Sequence, residues 1–208
     1  LNMSFYSKYV ASWIINKGCG SKAIQKQREK VLPFCHGKVL EIGAGSGLNF
    51  SFYQKDKVST IYALEPDDEM LRQAQIKAAT LDIEIKFLHS VAENIPLPSS
   101  SVDVVLLTYT LCSIPNPAMA LKEMRRVLKV DGKLVFAEHG KAPDRKVNRW
   151  QNLLNSFWPY LNGGCNLNRN IPDLLTQNGF AISNLDTMYL PGTPKWMGYN
   201  FWGLAEPQ

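Results

Sequence analysis

Val39-Leu40-Glu41-Ile42-Gly43-Ala44-Gly45-Ser46-Gly47-Leu48-Asn49-Phe50 carries a short apolar run straight into three glycines at alternate positions and then into a helical pattern. Glycines remove the Cβ atom where a backbone must turn sharply or let a ligand lie against it. The stretch therefore predicts a strand, a ligand-cradling turn and a helix. A pyrophosphate-binding G-x-G-x-x-G would place glycine at 48, where this chain has Leu48, so a dinucleotide is disfavoured.

Outward from that turn, Ser59 to Leu64 forms a second buried strand that ends in Glu65, just before Pro66. An acidic side chain at the tip of the second strand, roughly 20 residues past the glycines, is placed to accept the hydroxyls of a ribose. The alternative is a charge that favours the N-terminus of the next helix, whose first turn already holds Asp67, Asp68 and Glu69. Further segments repeat the rhythm: Val39 to Ile42, Ile61 to Glu65, Ile83 to Leu88, Val104 to Thr108 and Leu134 to Glu138 read as strands. Between them, Met70, Leu71, Ala74 and Ala78 mark one helix, and Leu121, Met124, Val127 and Leu128 mark another over Ala118 to Lys129, stopping at Asp131-Gly132. Alternation of this kind predicts an α/β fold, Rossmann-like and doubly wound, with a mostly parallel sheet. After Glu138 about 30 residues rich in Trp, Asn and Gly intervene before a helix over Pro172 to Gln177. Ala181 to Leu190 and Lys195 to Ala205 then read as an antiparallel C-terminal edge hairpin turned at Pro191-Gly192, which completes seven strands. The expected organisation is an N-terminal helical cap (1–37) and a ligand-binding domain (38–208) with an acceptor-site insertion at about 140–171.

The motifs resemble the class I S-adenosylmethionine-dependent methyltransferases, with Glu41 to Gly47 as the first motif and Leu64-Glu65-Pro66 as the second. Ala92-Glu93-Asn94-Ile95-Pro96-Leu97 and Ser101-Val102-Asp103-Val104-Val105 are similar to segments of the small-molecule and quinone methyltransferase branch. Leu111-Cys112-Ser113, Glu138-His139 and Gly163 to Arg169 resemble the methyltransferase-like group that includes alkyl-thiol methyltransferases and bacterial relatives. The resemblance runs from about residue 30 to the end. It implies S-adenosylmethionine as cofactor, S-adenosylhomocysteine as product, and a small, partly apolar acceptor with a thiol as first guess. N- or O-methylation of a lipid headgroup or quinone is a second possibility, and a non-catalytic S-adenosylmethionine-binding protein is the alternative of another class.

With 208 residues and 45% hydrophobic content, one well-buried domain is expected. Neither a membrane-spanning run nor an export signal is legible, which points to a cytoplasmic protein. Phe5, Tyr6, Tyr9, Trp13 and Ile14 share a helical face, so peripheral membrane association through that helix stands beside simple packing on the domain. The net charge of +5 is spread over Lys22, Lys26, Arg28 and Lys30 and over Lys141, Arg145, Lys146 and Arg149. Neither cluster interleaves with aromatics as a nucleic-acid platform would, so no nucleic-acid partner is expected. A monomer or homodimer is anticipated. Cys19, Cys35, Cys112 and Cys165 show no C-x-x-C spacing, so neither a metal site nor a disulfide framework is predicted.

The resemblance assigns the cofactor to Glu41, Gly43, Ala44, Gly45, Gly47, Asn49, Glu65, Pro66, Ala92, Glu93 and Thr108. Relatives often carry Asp before that alanine, to take the adenine amine; here Val91 stands there, and Glu93 or backbone groups must serve. Methyl transfer is an in-line displacement, so holding the partners at near-attack distance supplies most of the rate. The acceptor must also lose a proton, and His139, beside Glu138 at a strand tip, is the candidate general base; a local structural hydrogen bond is its other reading. Tyr109, Cys112, Glu138, Trp158, Asn166 and Arg169 are the candidate acceptor contacts.

Overall fold

The computed structural model describes residues 18–208. The aromatic stretch from Phe5 to Ile14 lies outside the described residues. Seven strands form one sheet: β1 (Gly37–Ile42), β2 (Val58–Leu64), β3 (Glu84–Leu88), β4 (Val102–Thr108), β5 (Leu128–His139), β6 (Phe180–Tyr189) and β7 (Tyr199–Pro207), in the order β3-β2-β1-β4-β5-β7-β6. The first five strands run parallel, and β7 pairs antiparallel with both β5 and β6. The chain winds outward from β1 to β3 and returns to lay β4 on the other side of β1. That reversal makes a crevice beyond the C-terminal ends of β1 and β4, where doubly wound sheets bind ligands.

Successive side chains of a strand point to opposite faces, so a strand buried on both sides must be apolar throughout. In β4, Val104 and Leu106 enter one core while Val105 and Leu107 enter the other; in β1, Val39 and Leu40 divide the same way. One face is covered by α3 (Pro117–Val127), through Ala120, Leu121 and Met124, and by α6 (Ile171–Gln177), through Ile171 and Leu175. The other is covered by α1 (Lys22–Val31), with Val31, and by α2 (Asp68–Ala78), with Ala74. α2 is started by Asp67, whose carboxylate accepts from the Met70 N–H at 2.8 Å. The insertion folds as α4 (Arg145–Leu154) and the single turn α5 (Trp158–Leu161).

Three expectations are corrected. The helix expected after the glycine turn is a single 3₁₀ turn over Phe50–Phe52, after which the chain runs on to β2. The helix expected to continue to Lys129 ends at Val127, because Leu128 is already extended, is buried, and pairs with Val102. Val104 next faces Lys133, so Lys129 to Gly132 bulge out of the ladder, and Asp131-Gly132 shapes that bulge rather than a helix stop. The final strand expected from Lys195 begins at Tyr199. Pro194 opens the helical turn α7 (Lys195–Gly198), which Gly198 closes by accepting the Leu190 N–H at 2.8 Å.

Candidate active site

A cavity of about 400 Å³ opens at the C-terminal ends of β1, β2 and β4. That lies within the size range of small-molecule sites. The glycine turn forms its floor. Gly43 has φ +65°, and a Cβ there would come within 2.4 Å of the Thr110 side chain, so only glycine lets the turn pass. Gly45, at φ +55°, would project a Cβ with no protein atom closer than 4.0 Å. Its bare Cα therefore leaves space beside Ala44 for a ligand. Gly47 does not line the cavity; its N–H donates to the Ala44 carbonyl at 2.9 Å and tightens the turn.

Glu65 stands on the opposite wall with Pro66 beside it. The Glu65 Oε2 accepts from the Gly45 N–H at 2.8 Å and Oε1 from the Asp67 N–H at 2.9 Å, which fixes the carboxylate. Burial raises its pKa, against the two backbone donors that hold the charge. Each oxygen keeps a lone pair for a further donor, such as a ribose hydroxyl. Val91, Ala92, Glu93 and Met70 continue the wall on that side.

Beneath the floor lies a buried polar relay. Asn49 Nδ2 donates to Glu41 Oε1 at 2.9 Å and to Thr108 Oγ1 at 2.8 Å; the Tyr53 hydroxyl donates to Glu41 Oε2 at 2.7 Å. Desolvation pushes the Glu41 carboxyl up from 4.5 to about 7, opposed by the Tyr53 and Asn49 hydrogen bonds. Glu41 thus braces the site from below, while Asn49 and Thr108 reach the cavity itself. Arg28 completes the relay, its Nε donating to Asn49 Oδ1 at 2.7 Å and its Nη1 to the Cys19 carbonyl at 2.5 Å. Arg28 is 3% exposed, lines the cavity, and forms no ion pair among the described residues. In the sequence Arg28 reads only as one member of the basic cluster Lys22, Lys26, Arg28 and Lys30. The missed signal was its spacing, four residues after Ile24 and three before Val31, on the face of α1 that turns inward.

At the far end, Tyr109, Thr110, Ser113 and Gly163 close the cavity. Tyr109 is held at φ +55°, a left-handed conformation that is strained for a bulky side chain. Its hydroxyl donates to Asn200 Oδ1 at 2.6 Å, and its ring stacks on His139 at 6.5 Å between centroids. Cys112, Glu138, His139, Trp158, Asn166 and Arg169 stand outside the cavity lining, each engaged with protein groups behind that wall. Glu138 Oε1 accepts from the Thr110 and Leu111 N–H groups, at 2.7 and 2.9 Å. Arg169 donates to the Leu111 carbonyl, and Asn166 Nδ2 to the Cys112 carbonyl at 3.0 Å and the Gly164 carbonyl at 2.9 Å. Trp158 packs edge-on against Trp196, with centroids 5.1 Å apart.

These contacts gather a group that sequence spacing concealed. His139 Nε2 lies 3.2 Å from Cys165 Sγ, and the ligand atoms of Cys112, His139 and Cys165 all fall within 4.8 Å of one another. The hydrogen bond from Cys165 holds the Cys112 thiol well below its usual range despite burial, with His139 contributing. The same bond and burial push Cys165 up. Burial works against charge on His139, but the Cys112 charge outweighs it and the imidazole pKa rises.

A seven-stranded sheet of this order, with a glycine cradle after β1 and a fixed carboxylate after β2, defines the class of Rossmann-like, S-adenosylmethionine-dependent methyltransferases. The chain belongs to that family: residues 40–136 match the family described as "Methyltransferase domain", and similarity to curated members extends further. It is 34% identical to thiol S-methyltransferase TMT1B of Homo sapiens over 188 residues, 85% of this chain and 75% of the relative. It is 33% identical to thiol S-methyltransferase TMT1B of Rattus norvegicus over 162 residues, 76% of this chain and 65% of that relative, so the chain spans slightly under two thirds of its length. A putative methyltransferase solved in complex with the Haloferax volcanii Trm112 methyltransferase activator shares the fold, with a TM-score of 0.72 at 16% identity over 99% of this chain and 97% of the other. The family's cofactor is S-adenosylmethionine. The bare Gly45, the fixed Glu65 carboxylate and the unpaired Arg28 cation offer room, hydroxyl acceptors and a counter-charge that suit its ribose and amino acid portions. Among the described residues no helix is long and apolar enough to cross a membrane.

Proposed function

We propose that this protein methylates small, partly apolar thiols, using S-adenosylmethionine. The observation that carries the reading is the continuity of one cavity from Glu65 to the wall formed by Tyr109, Ser113 and Gly163. When bound, the cofactor supplies a sulfonium methyl that passes to the acceptor sulfur, leaving S-adenosylhomocysteine.

Glu65 accepts the ribose hydroxyls, the turn from Gly43 to Gly47 supports the amino acid portion, and Arg28 pairs with its carboxylate. Thr108, held by Asn49, contacts the same portion. Ala92, Glu93 and Met70 border the adenine. The acceptor enters at the opposite end, against Tyr109 and Ser113. Thiols react as thiolates, and an ordinary thiol is mostly protonated at neutral pH. His139, directly behind Tyr109, is the group assigned to activating the acceptor, in its simplest form as a general base. The similarity to proteins named thiol S-methyltransferases supports the thiol over an amine or phenol.

The test is turnover of S-adenosylmethionine with alkanethiols, a quinol and phosphatidylethanolamine vesicles, followed by mass spectrometry of the methylated product. Methyl thioether from the thiols is expected. Methylation of the quinol or headgroup alone would replace the acceptor class, and cofactor binding without any S-adenosylhomocysteine would make the protein a binder.

A further inference from the structure

Cys112 belongs to the loop after β4, His139 to the tip of β5 and Cys165 to the insertion, yet their sulfur and nitrogen atoms converge within 4.8 Å. In a tetrahedral zinc site, with Zn–S near ~2.3 Å and Zn–N near ~2.0 Å, ligand atoms lie roughly 3.5–3.8 Å apart. Shifts of about 1 Å or less therefore convert this cluster into a Cys₂His coordination set. Two thiolates and one imidazole suit a soft or borderline d¹⁰ cation, not calcium or magnesium.

Two further features point the same way. Glu138, next to His139 in sequence and bound through Oε1 to the Leu111 N–H beside Cys112, keeps Oε2 buried with no hydrogen-bond partner. Arg169, the nearby cation, is spent on the Leu111 carbonyl. The indole N–H of Trp158 is likewise buried without a hydrogen-bond partner and lies beside Cys165. Unsatisfied buried polar groups are uncommon in folded proteins and mark a missing ion or water. A divalent cation held by two thiolates would place positive charge near the Glu138 carboxyl and give the indole an anionic sulfur to bond.

We infer that Cys112, His139 and Cys165 bind one Zn²⁺ just behind the wall formed by Tyr109, Ser113 and Gly163, and that the acceptor thiol, entering between Ser113 and Gly163, takes the fourth coordination position. This rests on the thiol reading and specifies how His139 acts: as a ligand of the metal that activates the acceptor. On coordination the acceptor's S–H bond breaks, its proton leaves to solvent and a sulfur–zinc bond forms, with no change of oxidation state. A metal-bound thiol is deprotonated outright. Asn166 fixes the Cys165 turn against Cys112, and Ser113 and Gly163, which reach the cavity wall, flank the cluster in sequence.

The experiment uses the full chain, stripped with chelator under a phosphine reductant and titrated with Co²⁺. The expected result is one Co²⁺ per chain, a near-ultraviolet thiolate charge-transfer band displaced by one equivalent of Zn²⁺, and a change in the visible bands on adding an alkanethiol. The band is expected to vanish in Cys112→Ala and Cys165→Ala and to persist in Cys35→Ala. His139→Ala should weaken affinity by more than the roughly 10- to 100-fold that losing a merely supporting partner costs. Retained S-adenosylhomocysteine binding by the variants separates ligand loss from unfolding. No charge-transfer band, or one that survives Cys112→Ala, overturns the site. Visible bands indifferent to thiol, or full turnover by stripped protein, overturn the open position and return His139 to simple proton removal. Failure of the thiol reading is seen separately, as metal bound normally with no methyl thioether formed.

Discussion

At the scale of single residues, the site concentrates charges and conformations that a stable fold alone would avoid. Glu41 is the clearest. Its carboxyl is 1% exposed and titrates near 7, against an ordinary 4.5. A raised pKa means that the folded chain holds the proton more firmly than the unfolded one, so this contribution to stability is complete below about 4.5 and is lost as pH rises through about 7. The full loss corresponds to about 3 kcal/mol. Glu41→Gln keeps a carbonyl for Asn49 and an amide for the Tyr53 hydroxyl. Denaturant unfolding at pH 5, 6, 7 and 8 is expected to show a shallower fall with pH than the parent, and equal or greater stability at pH 8. Gly45 makes the opposite case. Gly45→Ala would force a side chain into a left-handed backbone at a cost of roughly 1–2 kcal/mol and place its methyl in the cavity. Calorimetry should find S-adenosylhomocysteine binding weakened at least about tenfold, well beyond what the loss in melting temperature explains.

At the scale of elements, α1 does more than cover the sheet. It delivers the one cationic side chain that lines the cavity among the described residues, and Asn49 aims it. If Arg28 receives the cofactor's carboxylate, Arg28→Met removes a charge-assisted bond worth about 1.5–3 kcal/mol. Affinity for S-adenosylhomocysteine should then fall roughly 10- to 150-fold, while 5′-methylthioadenosine, which lacks the amino acid carboxylate, should bind both proteins alike. Equal losses for the two ligands would assign Arg28 a supporting role only. Which elements were readable follows from the same physics. The strands β1, β2, β4 and β5 announced themselves through short apolar stretches, β3 through the alternation of Ile83, Ile85 and Phe87 with polar residues, and Glu65 through its position at a strand tip. The end of α3 did not, because Leu128 suits a helix as well as a strand and only its pairing with Val102 decides. The turn over Lys195 to Gly198 was hidden for a similar reason, since four residues carry no periodicity.

At the scale of the whole molecule, the proposed cofactor cavity is assembled from segments far apart in the chain: α1, the turn after β1, the tips of β2 and β4, and the loop through Ala92. Local patterns disclosed the glycine turn and Glu65 because each motif is contiguous. They could not disclose Arg28 at the cavity, or the meeting of Cys112 with His139 and Cys165, because those proximities exist only once β1, β4 and β5 lie side by side. A site built this way couples ligand binding to global stability, since none of its segments is in place when the chain is unfolded. Saturation to 100 times Kd then adds about 2.7 kcal/mol. For a chain of this size each kcal/mol shifts the midpoint by about 2–4 °C, so S-adenosylhomocysteine should raise the melting temperature by roughly 5–10 °C, while NAD should leave it unchanged. In Glu65→Ala the same ligand concentration should produce less than half that rise, because the proposed ribose acceptors and the anchor for the Gly45 N–H disappear together. A full shift in Glu65→Ala would show that the adenosyl group is held elsewhere, and a shift with NAD would show a pocket that does not discriminate against a dinucleotide despite Leu48.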